Sequence, residues 1–224
     1  MRIGFVLFDQ VTQLDFTGPA QVLARVPDAQ LHYIGPSSAA IATDCGFEIL
    51  PTTTRQVCPQ LDLICVPGGY GVSAVLGDPE GLDFVAEQAS RARYVTSVCT
   101  GAFVLGAAGL LKGKRATTHW AYHDLLSVFG CQPEAGRVVR DGNLITGGGV
   151  TAGIDFGLAV LGELAGTDYA RTIQRALEYD PAPPFGAEDA EHGAARSNAL
   201  LEGAFEERRA LMKTASLDAL ARRS

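Results

Sequence analysis

The stretch Tyr94-Val95-Thr96-Ser97-Val98-Cys99-Thr100-Gly101-Ala102-Phe103-Val104-Leu105 decides the architecture of this chain. Its first five residues are aromatic, β-branched or small and carry no charge, the composition of a strand buried on both faces of a sheet. Gly101 to Leu111 is also uncharged and rich in Ala and Leu, which reads as a buried helix. A strand that becomes a helix over so few residues leaves Cys99 at the turn. There the unpaired N–H groups and the dipole of the helix favour a negative charge, so the thiol pKa is expected to fall. The turn has the logic of a nucleophile elbow, although Val98 and not Gly precedes the cysteine. A lone cysteine is otherwise a small buried hydrophobe. The turn is what separates Cys99 from Cys45, Cys58, Cys65 and Cys131, and Cys65 reads as sheet interior.

Outward from this unit the same alternation repeats. Ile3 to Phe8, Leu31 to Gly35 and Leu61 to Val66 are further strands. Thr17 and Pro19 suggest a cap and a first helical residue for a helix over Ala20 to Arg25. Ile41 to Thr53, with Gly46 inside it, reads as a short hairpin. Leu82, Val85, Ala86 and Ala89 give Pro79 to Arg93 a helical apolar face. Beyond Cys99, Arg115 to Thr118 is a short strand and His119 to Phe129 a helix. Arg137 to Thr146 turns at Asp141-Gly142 or Gly142-Asn143, Thr151 to Leu164 is an apolar helix, and Asn198 to Ala221 a C-terminal one. Strands alternating with helices imply an α/β fold, a mostly parallel sheet with helices on both faces. Neither a repeat nor a domain boundary is visible, so 1–224 is expected to be one domain with a helical extension from about 187.

Sites in such sheets lie beyond the carboxyl ends of the strands. That rule singles out Asp15, the Gly68-Gly69-Tyr70 turn, Cys99 and the turn from Gly147 to Val150. Asp15 either caps a helix or, close to a thiolate in a dry pocket, has its pKa raised and moves a proton. Thr100 either caps its helix or lends its hydroxyl to the sulfur. His119 either enters the pocket or merely starts a helix. His119 and His123 have a metal-like spacing, but no Glu follows as in H-E-x-x-H, so no metal is expected. The Gly-rich turns match neither a phosphate loop nor a dinucleotide fingerprint, and no cofactor is implied.

The net charge of -7 opposes nucleic-acid binding, and the arginines of Glu206-Glu207-Arg208-Arg209 and Arg222-Arg223 read as a solvated helix face. Five cysteines without a C-x-x-C pair fit a reducing compartment. No apolar run reaches the roughly eighteen residues of a spanning helix, and the short apolar start Met1 to Phe8 reads as a strand and not a leader. A cytoplasmic protein without membrane contact is therefore expected.

Long stretches resemble the PfpI/ThiJ superfamily of class I glutamine amidotransferase-like proteins, and within it the isocyanide hydratase branch. They are Gln13-Leu14-Asp15-Phe16-Thr17-Gly18-Pro19, Val66-Pro67-Gly68-Gly69, Tyr94 to Lys114, Ala116-Thr117-Thr118-His119-Trp120-Ala121-Tyr122-His123, Val138 to Asn143, Thr151 to Phe156, and Leu177-Glu178-Tyr179 before Pro181-Ala182-Pro183-Pro184-Phe185. The resemblance implies a flavodoxin-like sandwich, a homodimer, and Cys99 as a nucleophile that hydrates isocyanides to N-substituted formamides through a thioimidate. It carries over Asp15 as general acid/base and Thr100 as a supporting hydroxyl, with backbone N–H groups near Gly69 and Tyr70 beside the substrate. Thr100 stands where peptidase-like relatives have His, and Asp15 where deglycase-like relatives have Glu. Two other readings share the same residues: a ligand sensor like the AraC-type regulators, and a redox-responsive protein that oxidises Cys99.

Overall fold

In a computed structural model, which describes residues 1–185 and 187–223 apart from the side chains of 187–200 and 202, strand and helix alternate from the start. The chain runs β1 (Arg2–Val6), α1 (Gln13–Leu23), β2 (Gln30–Gly35), β3 (Ile41–Ala42), β4 (Glu48–Ile49), β5 (Thr53–Thr54), β6 (Leu63–Val66), α2 (Val72–Leu76), α3 (Pro79–Arg91), β7 (Tyr94–Val98) and α4 (Gly101–Ala107). There follow β8 (Arg115–Ala116), a 3₁₀ helix (Trp120–Phe129), β9 (Gln132–Pro133), β10 (Val138–Asp141), β11 (Leu144–Gly147), α5 (Ala152–Ala165), α6 (Thr167–Ala176) and α7 (Ala187–Arg223).

Seven strands form one sheet in the order β10-β11-β7-β6-β1-β2-β5. All its pairings are parallel except the β10–β11 hairpin, which turns on Gly142 at φ 65°. The apolar runs are the central strands, and every residue of β6 and β7 is buried. α5 lies over β7, β10 and β11 and packs on α1, whereas α3 and α4 lie over β6 and β7, with α2 and α7 packed outside α4. This is the α/β fold that the alternation implies, in the flavodoxin-like arrangement that the resemblance implies. Register sets the site: Ser97 pairs with Val66 and Thr146, and Val98 with Gly147. The chain therefore leaves β6, β7 and β11 side by side, at Pro67, Cys99 and Gly148.

Several elements differ from the sequence reading. α1 starts at Gln13 and encloses Pro19, with no cap at Thr17. Its first turn is capped from another loop, since Asp44 accepts hydrogen bonds from the Thr12 hydroxyl (2.7 Å) and the Gln13 N–H (3.4 Å). Pro19 lacks the N–H that would reach the carbonyl of Asp15. The segment after His119 winds as a 3₁₀ helix, and its buried Tyr122 and Leu125, then Leu126 and Phe129, follow the three-residue period of that winding. Gly166, at φ 91°, ends α5 and separates it from α6.

Arg208, Arg222 and Arg223 are exposed, as the sequence reading has them, and Arg209 is half-buried, but each also meets a group of the core. Arg209 grips Asp124 through two bonds of 2.9 and 2.8 Å and donates to the Ala121 carbonyl. Arg223 pairs with Asp83, Arg222 donates to the Leu76 carbonyl at 2.9 Å, and Arg208 sits 4.0 Å above the Tyr70 ring. Among the described residues no helix is long and apolar enough to cross a membrane.

Candidate active site

Cys99 bridges β7 and α4 with φ at +56°, a left-handed conformation that costs a non-glycine residue about 1–3 kcal/mol. The surroundings hold it there. Its N–H is shared between the carbonyls of Gly147 (3.0 Å) and Gly148 (2.9 Å), and its own carbonyl accepts the Thr118 hydroxyl at 2.7 Å. The end of β11 and the segment after β8 thus clamp the turn from two sides. Val150, on the turn leading to α5, is held in the same region at φ 42°.

Asp15 lies in the first turn of α1, fully buried. Its Oδ2 accepts the Gly68 N–H at 3.0 Å, while Oδ1 has no conventional hydrogen-bond partner among the described residues. The carboxyl nevertheless interacts with the Cys99 thiol. Burial pushes Asp15 up to about 7 and the nearby Asp44 adds to this, while Cys99 and the N–H groups of Gly68 and Val150 pull it back down. Burial, and after it the Asp15 charge, also pushes the Cys99 thiol well above its ordinary value, and the N–H groups of Thr100 and Val150 offset only part of that. The expected fall in the thiol pKa is therefore overturned: removal from water and a facing carboxylate outweigh the helix terminus. Near neutral pH the pair loses one proton and retains the other, so sulfur and carboxylate share it.

The close approach of these groups needs Gly68. A Cβ there would stand 2.6 Å from the Thr100 nitrogen and 2.8 Å from Asp15 Oδ2. Thr100 precedes α4 without a side-chain cap bond; its hydroxyl instead accepts the Gly69 N–H at 3.1 Å. That bond ties the β6 turn to the Cys99 turn and engages a donor that the sequence reading left for the substrate.

A cavity of about 240 Å³ opens above the pair. Cys99, Thr100, Gly69, Tyr70, His119 and Val150, all singled out from sequence, line it together, while Asp15 lies buried behind the sulfur. His119 caps the 3₁₀ helix, its Nδ1 accepting the Ala121 N–H at 3.2 Å, and burial lowers its pKa and favours the neutral ring. His123 does not line the cavity. Four lining residues escaped the sequence reading: Thr12, Asp44, Tyr122 and Phe205. Tyr122 lies within the stretch that carries the resemblance and Asp44 in the β3–β4 turn, but nothing local marks Phe205. A roomier cleft of about 380 Å³ beside Arg171, Arg175 and Tyr179 lies away from Cys99.

The model of the DJ-1/PfpI family matches residues 1–163, the segment that builds the whole sheet and the Cys99–Asp15 pair. The chain belongs to the DJ-1/PfpI family. Within it, the isonitrile hydratase of Pseudomonas putida is 60% identical over 185 residues, 83% of this chain and 81% of that one. A transcriptional regulator of Rhizobium meliloti, GlxA, is 29% identical over 89% of this chain and 65% of its own length. Among solved structures, a ThiJ/PfpI family protein from Pseudomonas syringae superposes with a TM-score of 0.92 at 39% identity, covering 96% of this chain and 90% of that one.

Proposed function

We propose that this chain is an isocyanide hydratase that converts an isocyanide and water to an N-substituted formamide, without metal or organic cofactor. The observation that carries the reading is the buried Cys99–Asp15 pair beneath a small cavity, in a chain 60% identical to a curated isonitrile hydratase. The competent form holds one proton on the pair. The terminal carbon of an isocyanide accepts a soft nucleophile and becomes basic as it is attacked. The Cys99 thiol passes its proton to the Asp15 carboxylate, the sulfur forms a bond to that carbon, and the proton moves from Asp15 onto the carbon, which gives a covalent thioimidate. Water then adds to the same carbon and gives a proton to the Asp15 carboxylate. The C–S bond breaks, the sulfur leaves with its electron pair, and the nitrogen takes up the second proton of that water to give the formamide. One water is consumed and nothing is oxidised or reduced. The Thr100 hydroxyl supports the site by holding the Gly69 turn against Cys99.

The reading extends to a cytoplasmic homodimer of single-domain chains with no nucleic-acid or membrane partner. The net charge of -7, five unpaired cysteines and the clamping of α7 onto the core agree with it. Incubating purified protein with phenyl or methyl isocyanide tests the proposal. Formamide should form, and Cys99→Ala should abolish it; absence of product from wild type, or equal turnover by the variant, rejects the mechanism.

A further inference from the structure

The reactive pair lies within the family segment 1–163, but one side of the cavity does not. Phe205, on α7, lines the cavity and meets three rings from the segment after β8: His119 at 5.5 Å, Trp120 at 5.6 Å with planes 73° apart, and Tyr122 at 5.9 Å with planes 88° apart. His119 and Tyr122 also meet each other, at 5.9 Å. The cavity is thus two-sided, with sulfur, hydroxyl and carboxylate groups at one side and ring edges and faces at the other. Aromatic rings favour such offset and edge-on neighbours over aliphatic groups of similar area. Size agrees as well, since a cavity of roughly 150 Å³ takes up benzene. The 240 Å³ present therefore suits one ring with a two-atom isocyanide head. α7 is held in place one turn beyond Phe205 by Arg208 over the Tyr70 ring and by the Arg209–Asp124 pair.

We propose that Phe205 is a specificity-determining residue, forming with His119 and Tyr122 a subsite for a flat aromatic substituent of the isocyanide whose terminal carbon is presented to Cys99. The proposal rests on the hydratase reading and assigns its substrate class to a helix outside the family segment. It is tested by kcat/KM for phenyl isocyanide against methyl isocyanide. Wild type should prefer the aryl substrate, Phe205→Ala should lower the ratio about tenfold, chiefly through KM, and Phe205→Tyr should retain it. Phe205→Leu, which keeps bulk without a ring, should lower it too and serves if the Ala variant fails to fold. An unchanged ratio in folded Phe205→Ala or Phe205→Leu protein overturns the proposal. If wild type hydrates neither compound the hydratase reading fails separately, and the subsite is then read by binding. Trp120, the single tryptophan, reports N-phenylformamide against N-methylformamide by fluorescence. Equal affinities, or no weakening of the aryl ligand in Phe205→Leu, overturn it.

Discussion

At the floor of the cavity, reactive groups are held by buried backbone: Cys99 between the ends of β7 and β11, Asp15 against the Gly68 N–H. At its wall, Phe205 is held by ring contacts and by a helix fastened through arginines that are partly in water. The floor needs fixed geometry, because proton transfer and bond formation demand groups placed within a fraction of an ångström. The wall needs only shape. A sheet edge built from interlocked parallel strands supplies the first, and a helix laid on afterwards supplies the second. Chemistry and selectivity thus sit on different supports, and the second can change without disturbing the first.

The sharpest attempt to break this division is Asp15→Asn. If the floor acts as a proton-sharing pair, turnover should fall about 10²–10⁴-fold, as loss of a general acid/base does. The same substitution should stabilise the fold at pH 8. Asp15 titrates near 7 when folded against 3.8 when unfolded. Between those values this carboxyl holds a proton in the folded chain that it has lost in the unfolded one, so its contribution to stability is fully present below about pH 4 and falls as pH rises to about 7. The loss is on the order of 4 kcal/mol. Thermal unfolding should show the Asn variant without that slope and with a higher Tm than wild type at pH 8. A lower Tm, with activity retained, would reduce Asp15 to a structural residue.

A smaller effect is expected in the pH profile of kcat/KM. The pair becomes competent when its first proton leaves near pH 7, so kcat/KM should rise about tenfold from pH 6 to pH 8. It should then hold, because the Cys99 thiol retains the second proton well into the alkaline range. A profile that is flat from pH 6 to pH 8 would mean that the floor does not work through this carboxyl.

The smallest effect belongs to the fastening of the wall. Arg209 and Asp124 pair at 2.8 Å with side chains 34% and 66% exposed, so solvent screens them and the pair contributes at most about 1 kcal/mol. Arg209→Ala should lower Tm by about 2–4 °C and leave kcat unchanged while raising KM for phenyl isocyanide. A much larger drop in Tm would show that α7 belongs to the folding core, and the two supports would then be one.

The sequence was most informative where structure is local. The uncharged runs Ile3 to Val6, Leu63 to Val66 and Tyr94 to Val98 fall in central strands because nothing in them favours water, and Gly142 marks a hairpin because it takes φ 65° without strain. It misled where a distant group intervenes. Thr17 and Pro19 are reasonable start signals, yet α1 begins earlier because Asp44 caps it from the β3–β4 turn. The exposure of Arg208, Arg222 and Arg223 was legible, but the partners that fasten Arg208, Arg209 and Arg223, namely the Tyr70 ring, Asp124 and Asp83, lie far away along the chain.

By itself the sequence determined that this chain folds as a parallel α/β sandwich and that Cys99 occupies a strand-to-helix turn, since both follow from the hydrophobic period and backbone preferences of neighbouring residues. Only the tertiary structure decided what that cysteine is. Its position at a helix start argues for an easily ionised thiol, but burial and the carboxyl of Asp15 push its pKa up and turn a lone thiolate into half of a proton-sharing pair. Phe205 joins the cavity for a similar reason. Desolvation and through-space contact depend on what the whole chain brings near an atom, which no local stretch of residues contains.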